Sequence, residues 1–161
     1  MKRIVSIVSI FVALAVFSGA AGAQDKPAQD KPAFAGTWKL TDPAQPDMFT
    51  PSQLVVAQDA TVLTLTATGQ MGEFTTTYKL DGSTGRSPLE FNGQTIDRAT
   101  KATWSGGKLT LTTTSDMNGQ TIEFKSVLSL NADGALMVES TFPDFQGGGG
   151  PITNKATYKK S

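Results

Sequence analysis

Apolar and polar residues alternate along most of the chain. The clearest case is Thr61 to Leu80. Leu63, Leu65 and Ala67 alternate with Thr64, Thr66 and Thr68, the chain turns at Gly69 to Gly72, and Phe74, Thr76, Tyr78 and Leu80 alternate with Thr75, Thr77 and Lys79. A period of two predicts a β-hairpin with one apolar and one threonine face. The apolar face then needs a second sheet, or the opposite wall of a barrel, to cover it.

The same pattern predicts further strands. Phe34 to Leu40 places Phe34, Gly36, Trp38 and Leu40 on one face, and Gln53 to Gln58 precedes the hairpin through Asp59-Ala60. After the turn residues Asp81 to Gly85 comes Leu89 to Phe91, ending in Asn92-Gly93, a pair suited to a twist-matched hairpin bend. Thr95 to Trp104 reads as one strand, turned by Ser105-Gly106-Gly107 into Lys108 to Thr114. Thr121 to Leu130 places Ile122, Phe124, Ser126, Leu128 and Leu130 inward; Ala135 to Phe142 is its partner, and Ile152 to Lys159 is the last strand. The Leu-Thr-Leu-Thr run from Leu63 recurs from Leu109, and Asn92 to Ile96 recurs as Asn118 to Ile122, so successive hairpins follow one pattern. The expected fold is all-β: an up-and-down antiparallel meander of about 8–10 strands closed into a β-barrel, first strand on last, which leaves no exposed edge.

Two stretches break the pattern. Thr41 to Ser52 carries Pro43, Pro46 and Pro51 and reads as a loop. Its Met48 and Phe49 either fold over a mouth as a lid or plug one end of the core. Pro143 to Pro151 contains Phe145 beside Gly147 to Gly150, a loop tip that is a gate, a handle for a partner or a plain glycine-rich connection.

The N-terminal end changes the picture of where the protein acts. Lys2 and Arg3, the apolar run Ile4 to Phe17 and the small residues Ala21-Gly22-Ala23 form the three parts of a secretory signal peptide, residues 1–23, with an uncleaved anchor as the alternative. Gln24 to Ala33 repeats Q-D-K-P-A and reads as a disordered linker, so the barrel domain spans residues 34–161. Export to the periplasm or the exterior is expected, with no membrane association after cleavage. Removing Lys2 and Arg3 from the 14 basic residues leaves 12 against 14 acidic ones, so a nucleic-acid partner is not expected. A monomer is.

With neither Cys nor His in the chain, disulfides, cysteine nucleophiles, His-based triads and His or Cys metal sites are excluded within one copy. Asp97, Glu139 and Asp144 show no spacing that pairs two carboxylates. The chain is therefore read as a non-enzyme with no metal or cofactor.

The strand F-A-G-T-W-K-L from Phe34 to Leu40 resembles the opening strand of the calycins, the lipocalins and fatty-acid-binding proteins, which share a Gly-x-Trp near the start of an up-and-down barrel. The resemblance implies that Trp38 closes the barrel floor, and the chain is similar to small secreted bacterial lipocalin-like domains. Two departures stand out. The proline-broken segment after the first strand has no room for the helical pair of fatty-acid-binding proteins. Their Arg-x-Tyr near the end is Ala156-Thr157-Tyr158 here, so a carboxylate site is not carried over.

Large inward residues alternate with small ones such as Ala67, Thr76, Ala102, Ser126, Ser140 and Ala156, and this leaves either a filled interior or a ligand cavity. The expected cavity lining is Trp38, Leu63, Leu65, Phe74, Tyr78, Arg98, Trp104, Phe124 and Tyr158. Arg98, in phase with Thr100 and Ala102, either meets an anionic group or snorkels at the rim. The outward threonines suit a solvated strand face. The expected function is binding of a small apolar or amphipathic ligand; the alternative is a protein-interaction or inhibitor barrel acting through its loops.

Overall fold

A computed structural model describes residues 31–41, 48–117, 119–145 and 149–161; the expected signal peptide and most of the linker, residues 1–30, lie outside them. Twelve strands follow one another: β1 (Gly36–Leu40), β2 (Gln53–Gln58), β3 (Val62–Gly69), β4 (Gly72–Lys79), β5 (Gly85–Arg86), β6 (Leu89–Phe91), β7 (Gln94–Ile96), β8 (Arg98–Ser105), β9 (Lys108–Met117), β10 (Gln120–Leu130), β11 (Leu136–Phe142) and β12 (Ile152–Lys160). Ten form one antiparallel sheet in the order β4-β3-β2-β1-β12-β11-β10-β9-β8-β5, and β6 and β7 form a separate hairpin. The sheet rolls up until β4 comes back against β8, giving a nearly closed barrel. Among the described residues no helix is long and apolar enough to cross a membrane.

The first and last strands do pair, Trp38 opposite Lys160 and Leu40 opposite Tyr158. They lie in mid-sheet, and the barrel closes elsewhere, at a seam between β4 and β8. No backbone ladder spans it. Side chains do the joining: Thr100 Oγ1 donates to the Thr77 carbonyl at 2.9 Å, the Thr77 amide donates to Ser87 Oγ at 3.2 Å, and Arg98 donates from Nε to the Ser87 carbonyl at 2.9 Å and from Nη2 to the Thr75 carbonyl at 3.1 Å. The reason is local. The single strand expected over Thr95 to Trp104 is interrupted at Asp97, and the chain before it leaves the sheet as the β6–β7 hairpin, so β4 meets the two-residue β5, the flank of β8 and, through Phe74, the edge of β6. The hairpin turn is as expected, with positive φ at Asn92 (50°) and Gly93 (75°).

The repeat is structural up to its turns. Leu63 and Leu109 are both completely buried and begin equivalent alternations on β3 and β9. In the first copy Gly69 pairs with Gly72 and ends the strand; in the second the strand runs on to Met117, opposite Gln120. On the outer face the threonines pair across strands, Thr66 Oγ1 with Thr75 Oγ1 at 2.9 Å and Thr64 Oγ1 with Thr77 Oγ1 at 3.4 Å, so they serve the sheet itself.

The two barrel ends differ. At the end where β1 begins, here the floor, Phe34, Trp38, Leu63, Leu109 and Leu136 are buried to 2% exposure or less. Each such side chain contributes about 1.5–3 kcal/mol by leaving water. Trp38 Nε1 donates to the Phe34 carbonyl at 2.8 Å, Phe34 stacks on Trp104 at 5.9 Å between ring centres, and the Gln58 side chain accepts from the Phe34 amide at 2.8 Å. Lys31, in the stretch read as linker, lies over the Trp104 ring at 5.5 Å. Gly36 has φ +144°, and a Cβ there would crowd the end of the Lys160 side chain, whose ammonium sits 5.5 Å from the centre of the Trp38 ring. The glycine of the Gly-x-Trp pair thus has a physical reason in its backbone, which residues with a Cβ rarely adopt.

Candidate functional site

The other end, the mouth, is where the apolar residues stay wet. Among the described residues all the large exposed apolar side chains except Val55 belong to it: Met48, Met71, Phe91, Met117, Phe124, Phe145 and Ile152. Four phenylalanines gather there from separate elements. Phe49 lies 4.7 Å from Phe142 and 5.8 Å from Phe145, and Phe145 lies 6.2 Å from Phe124, all between ring centres. A second contact, Phe74 to Phe91 at 6.4 Å, leans the β6–β7 hairpin against the seam side of the mouth.

Beneath this cluster the barrel holds a cavity of about 170 Å³. Its walls are apolar, from Leu54 on β2, Leu65 and Ala67 on β3, Leu128 on β10 and Val138 on β11, and Phe49 and Phe142 cover it. The polar groups are few. Ser126 and Ser140 face each other across β10 and β11 with their hydroxyls 3.2 Å apart. Tyr158 Oη, at the wall formed by β12, donates to the Pro51 carbonyl at 2.9 Å and so fixes the loop that brings Phe49 over the cavity. Lys125 contributes from the rim, where it is exposed. Phe49 therefore covers a cavity rather than plugging a filled core.

Of the residues expected to line a cavity, Leu65, Phe124 and Tyr158 do so. Trp38, Leu63 and Trp104 are packed in or against the floor core. Trp104 Nε1 is buried with no hydrogen-bond partner among the described residues. Tyr78 is buried with its hydroxyl 2.8 Å from Thr113 Oγ1, and burial raises its pKa. Phe74 packs on Phe91. Arg98 neither meets a ligand space nor simply snorkels: it ties β8 to the Thr75 and Ser87 carbonyls, and partial burial lowers its pKa from the usual arginine value. The cavity residues not foreseen, Leu54, Val138 and Phe142, stand at alternate positions of Gln53–Gln58 and Leu136–Phe142, so the same period-two pattern points to them.

A second hollow of about 900 Å³ is an open trough beside the β6–β7 hairpin, lined by Arg86, Gln94, Thr95, Asp97, Asp116 and Thr121 among others. Arg86 pairs there with Asp97, and Asp116 accepts from the Thr121 hydroxyl. The smaller cavity is the better ligand site because it is mostly apolar and lies among the inward side chains of the barrel, partly covered by Phe49 and Phe142. The carboxylates stay apart: Glu139 pairs with Lys155 at 3.1 Å, and among the described residues no three His, Cys, Asp or Glu side chains form a group able to hold a metal ion.

No protein family matches the chain, and no curated protein sequence does. Solved structures do. A crystal structure of the fluorescent protein UnaG, N57A mutant, covers 80% of this chain and 96% of its own at 18% identity with a TM-score of 0.53. One of secretory abundant heat soluble protein 4 from Ramazzottius varieornatus covers 79% and 94% at 17% identity with a TM-score of 0.49. The likeness to UnaG is one of fold, and the chain forms an antiparallel β-barrel.

Proposed function

We propose that the protein is an exported, lipocalin-like barrel that binds a small apolar ligand and does no chemistry on it. The observation that carries this reading is the 170 Å³ apolar cavity inside the barrel, roofed by Phe49 and opening at the aromatic mouth. Export is supported by the pattern of Lys2 to Ala23, and the absence of Cys and His from the chain supports a binding role over a catalytic one. The test is titration of the purified domain with environment-sensitive apolar fluorophores. Saturable binding that is lost when Ala67 is enlarged supports the reading, and its absence across the whole probe set sinks it.

One observation favours a second reading, an interaction barrel. Met48 and Phe145 project from the mouth at 55% and 54% exposure, more than the mouth needs for its own packing. A partner captured from periplasmic extract and lost on Phe145→Ser would favour it; capture unaffected by that change would count against it.

A further inference from the structure

Resting on the cavity reading, we infer that the ligand is uncharged, is no larger than a single ring or a short chain, and carries an oxygen that meets Ser126 and Ser140. Size comes first. A buried apolar cavity of about 150 Å³ holds one benzene, and the cavity here is about 170 Å³. The space beneath Phe49 and Phe142 takes one ring or a short chain, and a longer chain would have to run out through the mouth.

Charge is excluded by where the barrel's polar groups are committed. The tyrosine of the last strand spends its hydroxyl proton on the Pro51 carbonyl, and two residues before it stands Ala156, not a cation. The barrel's inward-phase arginine, Arg98, lies at the β4–β8 seam, its guanidinium turned to the Thr75 and Ser87 carbonyls and away from the cavity lining. Among the described residues no carboxylate lines the cavity to receive an ammonium group, and the cation of its lining, Lys125, stands exposed at the rim. A charged ligand group seated among Leu54, Leu65, Leu128 and Val138 would leave water with no described charge in the lining except the exposed Lys125, at a cost apolar contacts do not offset.

One polar feature remains. Between them Ser126 and Ser140 carry two hydroxyl protons and satisfy one in their mutual bond. The second proton and the spare lone pairs are available to a ligand hydroxyl or carbonyl. A neutral, ring-sized molecule with one oxygen uses all of this.

Calorimetric titration of the protein at neutral pH with toluene, benzyl alcohol, benzoate and benzylamine tests the inference. These probes share one ring and differ in charge and oxygen. Benzyl alcohol should bind at least about tenfold more tightly than benzoate or benzylammonium, and more tightly than toluene. The Ser126→Ala, Ser140→Ala double variant should abolish the advantage over toluene and leave toluene itself bound; Ser140→Ala alone reads the same ratio if the double variant does not fold. Benzoate or benzylammonium binding as tightly as benzyl alcohol overturns the charge rule and leaves the cavity reading standing. An advantage of alcohol over toluene that survives both serine changes overturns the serine assignment. No heat from any probe, toluene included, overturns the cavity reading itself.

Discussion

The two ends of the barrel are made from the same alternating strands and closed in different ways. At the floor the turns are tied by short polar side chains: Asp59 accepts from the Thr61 and Val62 amides, Asp81 from the Ser83 amide, and Asn131 from the amides of Asp133 and Ala135. Below them Phe34, Trp38, Leu63 and Leu136 fill the space between the walls. At the mouth the alternation brings Ala67, Ser126 and Ser140 to the inner face, and the volume they leave is covered by Phe49 from a loop and Phe142 from the end of β11. A barrel of this kind keeps its shape at one end and its empty volume at the other. The difference comes from residue size at inward positions, not from strand geometry.

Removing the floor's anchor should have the largest effect. Trp38→Ala should cost about 3–5 kcal/mol, read as a fall in the denaturant midpoint; a loss as small as that of a mouth substitution would erase the distinction between the ends. Next comes the seam. Arg98→Ala removes two bonds to carbonyls on the neighbouring segments and should cost about 1–3 kcal/mol, with amide hydrogen exchange accelerating in β4 before β11. Uniform acceleration would mean that Arg98 does not hold that join. At the mouth, Ala67→Leu should abolish toluene binding at a stability cost of no more than about 1–3 kcal/mol. Retained binding would put the ligand elsewhere. Phe145→Ser, at an exposed ring, should cost about 1 kcal/mol or less, and a greater loss would make the mouth cluster structural.

The smallest effect expected is at the floor turns under acid. Hydrogen bonds from the Thr61 and Val62 amides hold the Asp59 carboxyl below its usual pKa of 3.8. Its folded pKa is depressed, so its contribution is complete above the unfolded value and is lost as pH falls through the lower folded one. Asp59→Asn should flatten the acid limb of stability against pH. An unchanged limb would show that the turn does not depend on the charge.

Much of this was readable beforehand, and the reason is the period of two. In a sheet, neighbouring side chains point to opposite faces whatever the sheet does globally, so the inward placement of Leu63, Thr76, Tyr78, Ala102 and Leu128 followed from local order. What was read less well involves distance. Trp38, Leu63 and Trp104 share the inward phase with Leu65 and Tyr158, and only their height along the barrel separates floor from cavity. Arg98 has the phase of a lining residue, but its partners Thr75 and Ser87 are 23 and 11 residues away in sequence.

The alternation, the turn residues and the small side chains at inward positions set the strands, their inward faces and an all-β fold, because each depends on neighbours a few residues apart. The rolled sheet decided the rest. It joined first and last strands in mid-sheet, placed the seam where Asp97 interrupts a strand, and gathered Phe49, Phe124, Phe142 and Phe145 over one cavity, because these depend on where the sheet's two ends meet in space.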